Sequence, residues 1–240
     1  MRRGLRSRRP VSSARASDYY AADWSDSAYY QGPLGTGPTP NCIRLVGFCR
    51  AVPSTSTRIL VSFENASVHG ARLYTGHGGL PAIRAIFGGS GGYQTTSGYQ
   101  FSAPNVGRLF VVHAWCDTVA HLAFAGAEIG SGTSAVTVTA PGGTARVTLG
   151  RYQHSTGYGA DPDIGILAVS MSATPMTPSE VAADAAEIMS RSRGIALPPI
   201  PGEAVRWVAR DIATGGNWRD RVGDDCTLTV TGSPTVTRVP

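Results

Sequence analysis

The chain has 240 residues, with 30 Gly, 16 Pro and 15% charged side chains. That composition suits a turn-rich globular protein with one large β domain or two small ones, and it excludes disorder, which needs fewer apolar residues and more net charge. The net charge of +5 is uneven: residues 1–15 hold six Arg and no acid, so the body beyond them is nearly neutral.

Residues 1–40 read as an extended arm. Its arginines, Arg2 and Arg3 among them, precede "DYYAADWSDSAYY", in which Tyr19, Tyr20, Trp24, Tyr29 and Tyr30 follow neither a strand nor a helix period. Aromatic side chains seek a surface to bury on, so these residues are expected to make assembly contacts. The arginines could touch nucleic acid or an acidic partner through counterion release. The neutral body argues against a dedicated nucleic-acid reader, which should carry a basic face as well. No apolar stretch follows the arginines, so the start does not read as a Sec signal. Folding inside the cell that makes the protein is expected, with a non-Sec export route left open. No apolar run in the chain approaches the roughly 20 residues of a membrane-crossing helix.

Residues 41–172 are a run of short strand candidates divided by turn chemistry. "CIRLVGFCRAV" ends at Pro53, and "TRILVSFENA" puts Ile59, Val61 and Phe63 on one face. "ARLYTG" and "AIRAIFGG" follow, then the glycine-rich "GGSGGYQTTSGYQF", which reads as a loop. "GRLFVVHAWCD" has the apolar density of a central strand. "AHLAF" and "AEIG" read as a hairpin turning at Ala125-Gly126. "SAVTVTA", "ARVTLGRY" and "IGILAVSMS" complete about ten strands at the spacing of a β-sandwich. The expected core includes Ile59, Val61, Phe63, Leu109, Val111, His113, Leu149, Ile166 and Ala168.

Thr177-Pro178-Ser179-Glu180 is a capping box, with Thr177 as N-cap, Pro178 at the first helical position and Glu180 reaching back to the cap amide. Val181, Ala185, Ile188 and Met189 then form a narrow apolar stripe, and Gly194 supplies the stop. This helix is expected to lie against the sandwich.

Residues 194–240 begin with "IALPPIPGE", a stiff linker. "AVRWVARDI", "NWRDRVG" and "CTLTVTG" follow with Trp207 and Trp218. So short a piece cannot bury a stable core of its own, so it should dock on a vacant sheet edge with the two tryptophans as anchors. The stiffness of the linker favours a neighbour's sandwich over the chain's own.

Cys42, Cys49, Cys116 and Cys226 make a poor disulfide framework. The first two stand seven apart in one strand, on opposite faces and roughly 23 Å from each other, whereas a disulfide needs Cα atoms within about 7 Å. Buried thiols are expected.

The order "STRILVSFENASVHGARLYTG", "GRLFVVHAWCDTVAHLAFAGAEIGSG", "GRYQHSTGYGADPDIGILAVSMSATPMTPSEVAA" resembles a concanavalin A-like, laminin G-like jelly roll of the lectin/glucanase superfamily, of the kind found in phage and bacterial surface proteins. Asp117 and Gly126 stand at that family's hairpin positions, and the closing strand and helix match "ILAVSMSATPMTPSEV". The resemblance covers roughly residues 41–193. It implies an all-β, antiparallel jelly-roll sandwich with one short C-terminal helix, flanked by the arm at 1–40 and the docking tail at 194–240. The segment "RWVARDIATGGNWRDRVGDDCTLTVTGSP" also resembles the opening strands of a second such domain.

Glycanases on this fold carry E-x-D-x-E along one strand, and a retaining enzyme needs its carboxyls about 5 Å apart. Here Glu64 and Glu128 are each the only acid of their strand, so no catalytic residue and no enzyme activity is expected. No G-x-S-x-G or phosphate loop occurs. The five histidines lack metal-ligand spacing, and His113 reads as a core residue. The loop from Arg151 to Gly165 holds Tyr152, His154, Tyr158, Asp161 and Asp163, a set suited to stacking on a glycan. It could also hold a single Ca²⁺, but that ion takes six to eight oxygens and two Asp are too few unless neighbouring groups add more. No other metal or cofactor is expected.

The leading expectation is a non-enzymatic structural component of a virion or similar particle: a decoration, fibre or capsid-associated protein, homo-oligomeric, with arms contacting neighbouring subunits. The alternative is a carbohydrate-binding or adhesion module recognising a surface glycan, located at a cell surface or secreted by a non-Sec route.

Overall fold

A computed structural model describes residues 20–23, 29–35, 37–65, 70–89, 92–140, 142–143, 145–151, 159, 161–190, 197–210, 217–223, 226–232 and 235–239. Two antiparallel sheets face each other across one apolar layer, as expected. The first sheet is built around Cys42–Cys49 (β3), Arg108–Cys116 (β9), Ala120–Phe124 (β10), Ala127–Ser131 (β11) and Ile164–Ser172 (β13). Its order is β11-β10-β9-β3-β13, continued by Tyr20–Asp23 (β1) and Thr235–Arg238 (β16); Glu203–Val208 (β14) also pairs with β13. The second contains Tyr29–Gln31 (β2), Arg58–Glu64 (β4), Ala71–His77 (β5), Leu80–Gly89 (β6), Gly92–Thr95 (β7), Arg146–Leu149 (β12) and Thr229–Thr231 (β15). Its order is β15-β2-β12-β4-β5-β6-β7, with Tyr99–Gln100 (β8) also on β6.

Period-2 alternation sorts the side chains. In β9, Phe110, Val112, Ala114 and Cys116 enter the layer between the sheets. Val111 and Trp115, on the opposite face, belong to the apolar clusters under the helix. Of the nine expected core residues, eight are buried and Leu109 is partly so. They divide between the two faces, however: Val111 and Ala168 lie outside the first sheet. Strand β3 is buried along its whole length, because both its faces are covered. Cys42 belongs to the cluster beneath the helix and Cys49 to the inter-sheet layer, the opposite faces expected. All four cysteines are free and buried, and burial pushes the Cys42 thiol up to about 12.

The hairpin β10–β11 turns at Ala125 (φ 51°) and Gly126 (φ 85°), both left-handed as a type I′ turn requires. A side chain at Gly126 would also press on Ala185 of the helix. That helix, Pro178–Ser190 (α1), starts at the expected cap: the Thr177 amide donates to Glu180 (2.7 Å) and the Glu180 amide to the Thr177 hydroxyl (3.3 Å). Gly194 lies outside the described residues. The buried stripe is Val181, Asp184, Ala185 and Ile188. Met189 is 47% exposed, and the charged Asp184 takes the inward place expected for it.

Asp184 is drawn inward by two partners on the sheet beneath. Its carboxylate accepts from Arg44 Nη1 (2.7 Å) and meets His113 Nε2 (2.7 Å). Arg44 is fully buried and also donates to Ser170 Oγ (2.9 Å), to the Pro198 carbonyl (2.8 Å) and, at 3.4 Å, to Glu203. One guanidinium thus ties together the sheet, α1, the linker and β14.

Arm and tail both contribute strands. β1 pairs with β13 at Ala22↔Ile166, and β14 pairs with the rest of the same edge from Ala168 to Ser172. β16 pairs with β1 along Tyr20–Asp23, and β15 with β2. The tail therefore fills edges of its own chain, where linker stiffness had favoured a neighbour's, and the residues before Asn41 do supply strands. Trp207 and Trp218 are the expected anchors. The Trp207 indole donates to the Cys226 carbonyl (2.8 Å), and the Trp218 ring lies 5.1 Å from that of Tyr30.

Two further segments depart from expectation. "GGSGGYQTTSGYQF" supplies the short strands β7 and β8. "SAVTVTA" alternates like a strand but divides its amides between the sheets: Val136 donates to the Thr118 carbonyl and Thr139 to that of Gly88. It crosses from one sheet to the other and joins neither ladder. No helix among the described residues is long and apolar enough to cross a membrane.

Candidate functional site

The outer face of the second sheet is polar, and the register fixes its composition. Val61, Phe63, Val147 and Leu149 point inward, so Ser62, Glu64, Arg146 and Thr148 point out. Glu64 is clasped by both nitrogens of Arg72 (2.7 and 2.6 Å), a bidentate pair that occupies both carboxylate oxygens. The Thr148 hydroxyl lies 2.8 Å from that of Ser62 and donates to the Arg151 carbonyl (2.7 Å). The chain leaving β12 is thereby turned back across the face.

That turn sets the Arg151 guanidinium 4.6 Å from the centroid of the Tyr29 ring. Beside them Arg146 Nη1 donates to Gln31 Oε1 (2.9 Å), and Gln31 donates to Thr231 Oγ1 (3.4 Å). Tyr29, Gln31, Arg146, Thr148 and Arg151 line a cleft of about 300 Å³. Two of its walls are adjacent strands, paired at Thr148↔Gln31, so the polar groups stand on a rigid base. The sequence offered no local signal for this pairing of Tyr29 with Arg151; it follows from the register of β2 on β12.

The expected glycan loop begins here. Tyr152, His154 and Tyr158 lie outside the described residues. Asp161 is fully buried: it accepts from the Thr75 hydroxyl and, on its other oxygen, from the Asp163 amide (3.0 Å). Burial, the main cause, pushes its carboxyl above the usual carboxylate range. Asp161 thus clasps the end of the loop to β5, with neither oxygen turned to solvent. The Asp163 carbonyl accepts from the Arg50 amide (2.8 Å). Among the described residues no group of three or more His, Cys, Asp or Glu is placed to hold a metal ion.

Of the expected assembly residues, Arg2, Arg3, Tyr19 and Trp24 lie outside the described residues. Tyr20 lies in β1 and Tyr29 in the cleft, while Tyr30, Trp207 and Trp218 are buried within their own chain.

A second polar cluster sits on the β10–β11 hairpin. His121 stacks on Trp115 at 4.8 Å and meets Glu128 through Nδ1 (2.7 Å) and Asp117 through Nε2 (3.3 Å). Asp117 is held below the usual carboxylate range by the Thr118 amide first, and also by that of Val119 and by His121. The two glutamates singled out in the sequence are thus far from forming a pair: Glu128 is engaged by His121 on one sheet and Glu64 by Arg72 on the other.

No family model matches the chain, and no curated protein does. Solved structures do. One, from Bacteroides ovatus and provisionally described as a carbohydrate-binding protein, aligns with a TM-score of 0.62 at 13% identity, over 93% of this chain and 60% of that one. This chain therefore spans 60% of that protein's length. A heptameric SAP-like pentraxin from Limulus polyphemus aligns at 0.45 and 11% identity, covering 89% of this chain and 95% of that one. The binding domain of botulinum neurotoxin DC, solved in complex with SialylT, aligns at 0.44 and 8% identity, covering 67% and 36%. These last two align too loosely to carry weight. At such identities likeness speaks for architecture alone, and with the two sheets described above it makes this chain an antiparallel β-sandwich.

Proposed function

We propose that the protein binds carbohydrate without cleaving it, through the outer face of the second sheet. The observation that carries this reading is the Arg151–Tyr29 stack at the mouth of a polar cleft on paired strands. A sugar ring offers an apolar face and a rim of hydroxyls. An aromatic ring takes the first, and planar donors such as Arg and Gln take the second. The likeness to the Bacteroides chain points the same way. Tyr152, His154 and Tyr158 follow Arg151 directly and, on this reading, extend the site. The place of work is then a glycan-bearing surface.

The competing reading, a virion subunit, leaned on an arm and a tail with no place of their own. Strands β1, β2, β14, β15 and β16 give parts of both a place within the chain, which withdraws that support.

The test is a glycan array followed by calorimetric titration of the strongest hit. Tyr29→Ala should weaken binding about tenfold, since stacking on an aromatic ring is worth on the order of 1 kcal/mol or more, with the melting temperature nearly unchanged. No reducing ends should appear on prolonged incubation. Absence of binding across the array, binding unaffected by Tyr29→Ala, or cleavage of the bound glycan would overturn the proposal.

A further inference from the structure

The polar network beneath α1 leaves His113 no room for a charge. Asp184 from α1 and Glu203 from β14 both face Arg44 of β3, and Arg206 of β14 engages both Glu203 oxygens. Asp220 is taken up by the backbone amides of Arg206 and Val222. The Cys42 thiol, pushed up to about 12, stays uncharged. His113 stands directly opposite Arg44 in the register, and its neighbour on the other side is the uncharged Ala123. As a neutral ring it donates from Nε2 to Asp184 Oδ2 (2.7 Å). Its Nδ1 is buried with no hydrogen-bond partner among the described residues, as is Arg44 Nε. A second proton on the imidazole would bury an N–H with nothing to accept it and set another positive charge beside Arg44. Burial is the larger influence on the ring, and it holds His113 below its ordinary value of 6.5 against the pull of Asp184.

We propose that His113 makes α1 an acid-released cover over the outer face of the first sheet. Apolar contact anchors the helix lightly. Beside Asp184 it buries Val181, Ala185 and Ile188, and the inter-sheet cluster contains none of its residues. Lifting it leaves the core of the sandwich intact and uncovers apolar side chains of the first sheet, Val46, Val111, Leu167 and Ala168 among them. Once the helix is lifted, His113 meets water and takes a proton at its ordinary value; under the helix it does not. The closed form is therefore most favoured above pH 6.5. Below that it loses ground about tenfold per pH unit, until the pH reaches the depressed value of the buried ring.

Amide hydrogen exchange on the whole chain, corrected for intrinsic rates, reads that opening. Between pH 7 and 5, where ordinary carboxylates stay ionised, protection of α1 should fall about 25-fold. Protection of β3, β9 and β13 should hold. His113→Gln, a neutral side chain that can still donate to Asp184, should flatten the profile whatever it does to absolute stability. Imidazole nitrogen shifts of the unaltered protein should show His113 neutral, with its proton on Nε2, at pH 5.

Protection of α1 that is independent of pH over this range would overturn the proposal. So would a helix and sheet that lose protection together, which is global acid unfolding and not the release of a cover. A pH profile unchanged in His113→Gln, or a charged His113 in the closed protein at pH 5, would overturn it as well.

Discussion

Replacing Asp184 by Ala is the most direct probe of how α1 is held to the sandwich. The change leaves the helix a good helix former but strips partners from two buried groups. Arg44 Nη1 loses its 2.7 Å bond and His113 Nε2 its own. Burial is the main force on both, pushing each below its ordinary range, so neither charge is tolerated without a partner. Breaking one side of a buried ion pair costs about 3–5 kcal/mol. Here Glu203 remains within 3.4 Å of Arg44, so the lower end, about 3 kcal/mol, is expected. For a domain of this size each kcal/mol moves the melting temperature by about 2–4 °C, which gives a fall of about 6–12 °C. Thermal melts followed by circular dichroism, with urea titration for the free energy, measure it. The double replacement Arg44→Met with Asp184→Leu should recover most of the loss, since an apolar pair of similar volume has no charge to desolvate. A loss below about 1 kcal/mol for Asp184→Ala, the size of an exposed pair, would refute the idea that this network holds the helix.

Two further outcomes are expected. Asp161 has a raised carboxyl, so the native state binds its proton more tightly than the unfolded chain does, and its ionisation works against folding as pH rises above the ordinary carboxylate value of about 4. Urea titrations of Asp161→Asn and wild type across pH 3–8 should show the variant gaining relative stability over that rise, then a constant difference; a difference independent of pH would contradict the assignment. Truncation after Gly202 should destabilise the folded monomer itself, because it uncovers half of the β13 edge and removes the Trp218 ring from Tyr30. A truncated chain that melts like the full one would show those strands to be dispensable.

The start of α1 was legible because a capping box is local chemistry. Its buried face was not, because Asp184 is drawn inward by Arg44 and His113 from other strands. The alternation of β4 and β9 announced strands but not that β9 is covered on both faces, which depends on a helix far along the chain. β1 and β2, at four and three residues, have no room to display a period; the open edges they cover make them strands. The loop after β12 was singled out for its Tyr, His and Asp side chains. Of its described acids, though, Asp161 proves to be a buried clasp, and the guanidinium over the cleft belongs to Arg151, the residue opening the loop. Its partner Tyr29 had been read only as part of the arm.

The shared edge of β13 has a consequence for synthesis. A ribosome delivers the chain from its N-terminus, so β13 emerges before the strands that finish either sheet. Residues 203–238 then complete several edges together: β14 covers β13, β15 covers β2 and β16 covers β1. Until they arrive the nascent chain displays unpaired strand edges, the form that recruits strands from other copies. At about 5–20 residues per second that interval lasts only a few seconds. Synonymous codons that slow translation across it would lower the yield of folded protein without altering a single residue.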